Sequence, residues 1–179
     1  RVLFRSLEAL EWDQTLALVA RRLSTSAGER EFRHVAPGTN RIDIEPALAD
    51  VGEAMAFLRA AATGAARRVE FQGLPDVDAA AQKLRIEGAV LDPREILELT
   101  VFLDRASDAR SNLTAAAERF PRLATYTARI GDFRLVLKEI SGRVQPDGYL
   151  ADSASPQLQR VRKGIEKQKK AIQDSLERF

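Results

Sequence analysis

The residues able to do chemistry are few in this chain. No cysteine and a single histidine, His34, occur among the 179 residues. Within them disulfides, thiolate metal sites, a Cys nucleophile and multi-His metal sites are excluded, although a carboxylate site is not. His34 falls at the expected C-terminus of a short helix, where an imidazolium interacts favourably with the helix dipole, and it reads as structural. No Gly-x-Ser-x-Gly elbow surrounds any serine. None of the ten glycines forms a Gly-x-x-x-x-Gly-Lys-Ser/Thr loop or a Gly-x-Gly-x-x-Gly turn, so no nucleotide site is recognisable. The carboxylate pairs Glu29/Glu31, Glu95/Glu98 and Asp104/Asp108 sit on expected helices among basic residues. Solvated faces and ion pairs one turn apart account for them better than acid–base catalysis. No catalytic, cofactor-binding or metal-ligating residue is assigned.

Charge distribution is more informative. Residues 156–179 hold Arg160, Arg162, Lys163, Lys167, Lys169, Lys170 and Arg178 against Glu166, Asp174 and Glu177, a net of +4 in a chain whose total is +2. Cations clustered on one helix can neutralise phosphates without reading base sequence. The same pattern also fits the solvated face of a coiled coil. Arg160, Arg162, Lys163, Lys167, Lys169 and Lys170 are therefore the candidate nucleic-acid contacts. Apart from Phe179 the segment has no aromatic residue, which argues against single-strand binding by base stacking.

The elements that must carry these residues are helical. Apolar residues make up 45% and charged residues 30%, a globular balance, and aromatics at 6% favour helix over sheet. No apolar run approaches the roughly 20 residues that span a bilayer, and no secretory signal is evident, so a cytoplasmic protein without membrane contact is expected. Apolar spacing predicts a helix from Trp12, with Asp13 able to cap it, and a second from Ser26 to about His34. Ile44, Leu48, Val51, Met55 and Leu58 define an amphipathic helix with Asp43 as cap and Pro46 in its first turn. Further helices are expected over Asp76–Ile86, from Asp92-Pro93 to about Arg119, and over Leu123–Ile130 and Phe133–Ser141. Pro146-Asp147-Gly148 predicts a small hairpin between Val144 and Ala151. Ser155-Pro156 then opens a last helix whose seam is Leu158, Val161, Ile165, Ile172 and Phe179. The expected class is all-α with one small β-hairpin. Residues 7–141 form the helical core, 142–155 the hairpin connection and 156–179 the start of a long lever or coiled-coil helix. The hexapeptide Arg1-Val2-Leu3-Phe4-Arg5-Ser6 reads as a translated sequencing-adapter end and is set aside as non-native. Phe179 stops inside an unbroken helical pattern, so a gene fragment is expected.

Two stretches resemble the N-terminal region of the bacterial type-two MutS proteins. Leu10-Glu11-Trp12-Asp13 is similar to that family's Leu-Glu-Phe-Asp opening, and Ser26-Ala27-Gly28-Glu29 followed by Ala36-Pro37 to its second short helix and stop. The most specific match is Asp147-Gly148-Tyr149-Leu150-Ala151-Asp152-Ser153-Ala154-Ser155-Pro156-Gln157-Leu158, continued by Val161-Arg162 and Ile165. Gln157 stands where Glu is usual, which removes a charge favourable to the helix N-terminus. The resemblance covers nearly all of residues 7–179. It implies a helical core leading into a lever arm that runs to a clamp and returns towards a C-terminal ATPase, often followed by a nuclease domain. It further implies a homodimeric, DNA-stimulated ATPase using ATP and Mg, linked to DNA repair, to suppression of recombination and, in some bacteria, to collided ribosomes and their rRNA. None of that family's ATP-binding or nuclease residues falls within this chain.

Two functions follow as expectations. One is the non-catalytic core-and-lever part of a type-two MutS ATPase, engaging branched or mismatched DNA or ribosomes. The other is a stand-alone helical scaffold or coiled-coil adaptor without enzymatic activity.

Overall fold

The structure, a computed structural model, describes residues 8, 9 and 11–177. The N-terminal hexapeptide, Leu10 of the opening motif, and Arg178 and Phe179 lie outside the described residues. In chain order the helices are α1 (Trp12–Ala20), α2 (Ser26–Phe32), α3 (Arg41–Ala62), α4 (Asp78–Lys83), α5 (Pro93–Ala115), α6 (Pro121–Thr125), α7 (Arg134–Ile140) and α8 (Pro156–Leu176). A 3-10 turn, Tyr126–Arg129, extends α6, and another, Asp152–Ala154, precedes α8. The all-α expectation holds, and no β-strand occurs among the described residues.

Local chemistry explains most boundaries. Thr25 caps α2 by accepting from the Gly28 N–H at 3.0 Å. Asp92 precedes Pro93, and its N–H donates to Glu95 Oε2 at 2.9 Å, the return half of a capping box. Two caps differ from expectation. Asn40, not Asp43, caps α3, its Oδ1 accepting from the Ile42 N–H at 3.1 Å, while Asp43 accepts from the Asn40 side-chain amide at 2.8 Å. The earlier start puts Pro46 in the second turn rather than the first. Asp13 lies within α1, whose cap residue Glu11 is left-handed at φ 47° with no side-chain cap bond.

The expected hairpin is corrected to a closed loop. Val144 and Leu150 form a single antiparallel bridge, and no strand grows from it. Gly148 donates to the Gln145 carbonyl at 2.9 Å across Pro146-Asp147, and Gln145 donates to the Tyr149 carbonyl at 2.7 Å. Gly148 has φ 83°, the left-handed geometry that closes such a turn with a bulge. The turn chemistry is thus that of a hairpin, but its arms are cut short. The end of α7 and the turn through Gly142 consume one side, and the Asp152–Ala154 turn consumes the other.

The chain divides into two compact units, Arg1–Asp76 with Arg105–Gly131, and Val77–Asp104 with Asp132–Phe179. In the first unit the core is Phe57, Ala60 and Phe120, flanked by Ala66, Val69, Leu113, Ala116 and Leu123. The Phe57 and Phe120 rings meet edge to face, centroids 5.4 Å apart, and the Arg119 guanidinium lies 5.2 Å from the Phe120 centroid. Above this core α3 grips α6. Glu53 accepts from the Leu123 N–H at 2.8 Å, supplying the acceptor for an orphan donor of the α6 N-terminus that Phe120 at the cap position cannot satisfy. Arg122 donates to Asp50 at 2.5 Å and to the Pro46 carbonyl at 2.9 Å, and the Tyr126 hydroxyl donates to Asp50 at 3.2 Å. The inward face of α3 is therefore Asp50, Glu53, Phe57 and Ala60, the carboxylates half-buried and Phe57 and Ala60 buried. The aliphatic stripe picked out by spacing is the other face: Leu48, Val51, Met55 and Leu58 are 64%, 56%, 49% and 53% exposed.

In the second unit Lys83 at the end of α4 donates to Glu95 in the first turn of α5 at 2.5 Å. That hydrogen bond, helped by the Asp92 N–H, holds the Glu95 carboxyl below its usual range and holds the Lys83 ammonium above its own.

Candidate nucleic-acid interface

The candidate contacts all lie on α8, whose entry is built by the closed loop before it. Ser155 is extended, and its Oγ accepts from the Leu158 N–H at 3.2 Å while Pro156 occupies the first helical position. One turn further on, Arg162 reaches back out of the helix. It donates to the Leu150 carbonyl at 2.8 Å and pairs with the Asp152 carboxylate. Arg143 holds the other side of the loop, donating to the Ala154 carbonyl at 3.1 Å and to the Glu139 carbonyl. One guanidinium, that of Arg162, and one capping hydroxyl join loop and helix, while Arg143 ties the loop to itself and to α7.

This joint sorts the six candidate residues. Arg162 is committed to Leu150 and Asp152, so it positions α8 instead of offering its charge outward. Lys169 lies beside the apolar seam and is 3.9 Å from Glu166. At 100° per residue, Arg160, Lys163, Lys167 and Lys170 fall on one stripe by steps of three, four and three. Leu158, Val161, Ile165, Ile172 and Leu176 occupy the opposite face. Val161, Ile165, Ile172 and Leu176 are all exposed. The stripe residues are exposed too, and from Arg160 to Lys170 the run covers about 15 Å of helix axis.

Pairing separates this stripe from Arg162 and Lys169 on the same helix. Among the described residues nine Lys or Arg side chains, from Arg30 with Asp76 to Lys169 with Glu166, form ion pairs with carboxylates. Among the described residues, no carboxylate lies within ion-pair distance of Arg160, Lys163 or Lys167. Lys170 has Glu166 and Asp174 one turn to either side, so its charge is partly offset. The positioning residues Arg143 and Asp152 were not singled out by sequence reasoning. The distance from Asp152 to Arg162 follows no helical period, and only the loop's fold brings them together. Among the described residues no group of three or more His, Asp or Glu side chains is placed to hold a metal ion. His34 is exposed in the turn after α2. No helix among the described residues is long and apolar enough to cross a membrane.

The described residues place the chain in the all-α class, with its basic residues clustered on one capped helix. Within that class its relatives are specific. No protein-family model matches. Curated relatives do: the Endonuclease MutS2 of Symbiobacterium thermophilum is 26% identical over 177 residues, covering 98% of this chain and 21% of the relative. That of Caldicellulosiruptor saccharolyticus is 28% identical over 173 residues, covering 96% and 21%. That of Aquifex aeolicus is 25% identical over 179 residues, covering 97% and 22%. The chain is homologous to the N-terminal part of bacterial Endonuclease MutS2 and spans about a fifth of the length of these relatives.

Proposed function

We propose that this chain is the non-catalytic core-and-lever part of a MutS2-type protein, coupling engagement of nucleic acid to nucleotide turnover elsewhere in the same polypeptide. The observation that carries the reading is the alignment, which runs through 96–98% of the chain in relatives that share the name Endonuclease MutS2. The stapled entry to α8 supports it, because a helix fixed at its base can transmit a displacement along its length. In the parent protein the nucleotide would be ATP with Mg, the assembly a homodimer in the bacterial cytoplasm, and the partner branched or mismatched DNA or a collided ribosome. The exposed stripe of α8, Arg160, Lys163, Lys167 and Lys170, is the nucleic-acid-facing part of this segment.

The test uses the polypeptide that carries this segment together with its ATPase. Ile165→Pro removes a backbone donor in mid-helix and breaks α8 between its stapled base and its far end. The expected outcome is unchanged basal ATP hydrolysis with loss of its stimulation by DNA. Full stimulation in the broken-helix variant overturns the coupling role.

A further inference from the structure

We infer that Arg160, Lys163 and Lys167 form a phosphate-tracking edge on α8 that takes the backbone of duplex DNA, while Arg162 and Lys169 take no part. The inference rests on the MutS2-type reading and deepens it by naming the partner's chemistry and dividing the cations.

Three observations carry it. These three side chains share one exposed face of the helix at steps of three and four residues, so their charges follow a nearly straight line. They have no carboxylate in ion-pair range among the described residues, whereas Arg162 and Lys169 on the same helix do. The charge is thus left for an external anion. The edge also lies opposite the Leu158–Val161–Ile165–Ile172 face, so anything that covers the apolar face leaves the cations open. The chemistry of the edge selects backbone over base. It has no aromatic side chain on which an unstacked base could sit. Gly164, whose absent side chain has no neighbour within 4 Å, leaves the flank of the edge low.

Charge reversal in this chain decides it. Anisotropy of a labelled short duplex DNA is followed as salt is raised, for the unmodified chain and three variants. The first is the triple reversal Arg160→Glu, Lys163→Glu and Lys167→Glu. The second reverses Arg21, Arg22 and Arg33 to Glu, giving the same net charge with the changes placed in the first unit. The third exchanges the cations, Arg160→Lys, Lys163→Arg and Lys167→Arg. The unmodified chain should bind duplex more tightly than single strand, without sequence preference. The edge reversal should remove binding or flatten the slope of log affinity against log salt by about 2.7, the value for three phosphate contacts. The first-unit reversal should keep most of that slope, and the cation exchange all of it.

Equal losses in the two reversals would reduce the effect to net charge and overturn the edge. Preference for single strand overturns it too, as does absence of duplex binding by the unmodified chain at low salt. None of these results touches the MutS2-type reading, which is decided by the ATPase response to a broken α8. Far-ultraviolet circular dichroism on each variant confirms that loss of binding is not loss of helix.

Discussion

A carboxylate one turn above the Phe57–Phe120 contact holds α6 in place more directly than any apolar residue does. Glu53 is the acceptor for the Leu123 N–H, and no side chain at the Phe120 cap position can replace it. Glu53→Ala should therefore cost on the order of 1–2 kcal/mol, the loss expected for removing a helix cap. Chemical denaturation followed by helical circular dichroism measures it, and an unchanged midpoint would mean that water serves Leu123 equally well. The Lys83–Glu95 pair gives a pH signature whose direction is fixed at both ends. The Glu95 carboxyl is held low by the Lys83 hydrogen bond and then by the Asp92 N–H. Its contribution is present above the ordinary carboxylate range and is lost as pH falls through the lowered folded value. The Lys83 ammonium is held high by the Glu95 hydrogen bond, so its contribution is present below the ordinary lysine range and is lost as pH rises through the raised folded value. Stability of Glu95→Gln should trail the parent across neutral pH and converge with it at both acid and alkaline ends. Parallel profiles at all pH values would show that the pair is not formed.

At the scale of elements, Ser155, Arg162 and Asp152 act on one joint, and their effects should not add. Ser155→Ala alone should cost on the order of 1 kcal/mol. After Arg162→Met has released Leu150 and Asp152, the same change should cost less, with a coupling above about 0.5 kcal/mol in a double-mutant cycle. Strict additivity would make the cap and the guanidinium independent features. Half of this joint was legible in the sequence. Ser155-Pro156 and Asp92-Pro93 announce helix starts because each constrains the backbone locally, and both helices begin where those residues stand. The loop closure by Gly148 was legible for the same reason, though the strand arms were not, since their length depends on where neighbouring helices end. The clustering of charge on α8 was equally plain. Its division was not, because Arg162 is withdrawn from the cationic face only by a loop that folds back ten residues. The α3 face was misjudged for an energetic reason. Leu48, Val51, Met55 and Leu58 are collectively more apolar than Asp50, Glu53, Phe57 and Ala60. The second set nevertheless faces inward, because aromatic rings, a guanidinium and a helix N-terminus converge on it.

Across the whole molecule the apolar side chains are distributed thinly. Among the described residues six hydrophobic side chains are buried, and none falls below 2% exposure. Phe57 at 4% and Phe120 at 3% exposure carry the first unit's core, so truncation there should be severe, about 3–5 kcal/mol for Phe→Ala. The α3 stripe makes the opposite prediction. Leu48, Met55 and Leu58 are each about half exposed or more, so replacing all three by Gln removes little that folding has withdrawn from water. The triple variant should unfold within about 1 kcal/mol of the parent, whereas three side chains fully buried in a core would each forfeit roughly 1.5–3 kcal/mol. Gln retains helix propensity, so the comparison isolates burial from backbone preference. The measurement is a denaturation midpoint for the triple variant beside that of Phe120→Ala. A collapse of the triple variant matching that of Phe120→Ala would put the stripe inside a core, and with it reverse the assignment of which α3 face meets α6. A small shift, together with higher solubility, is the outcome the exposed stripe requires, since the lost apolar surface was facing water from the start.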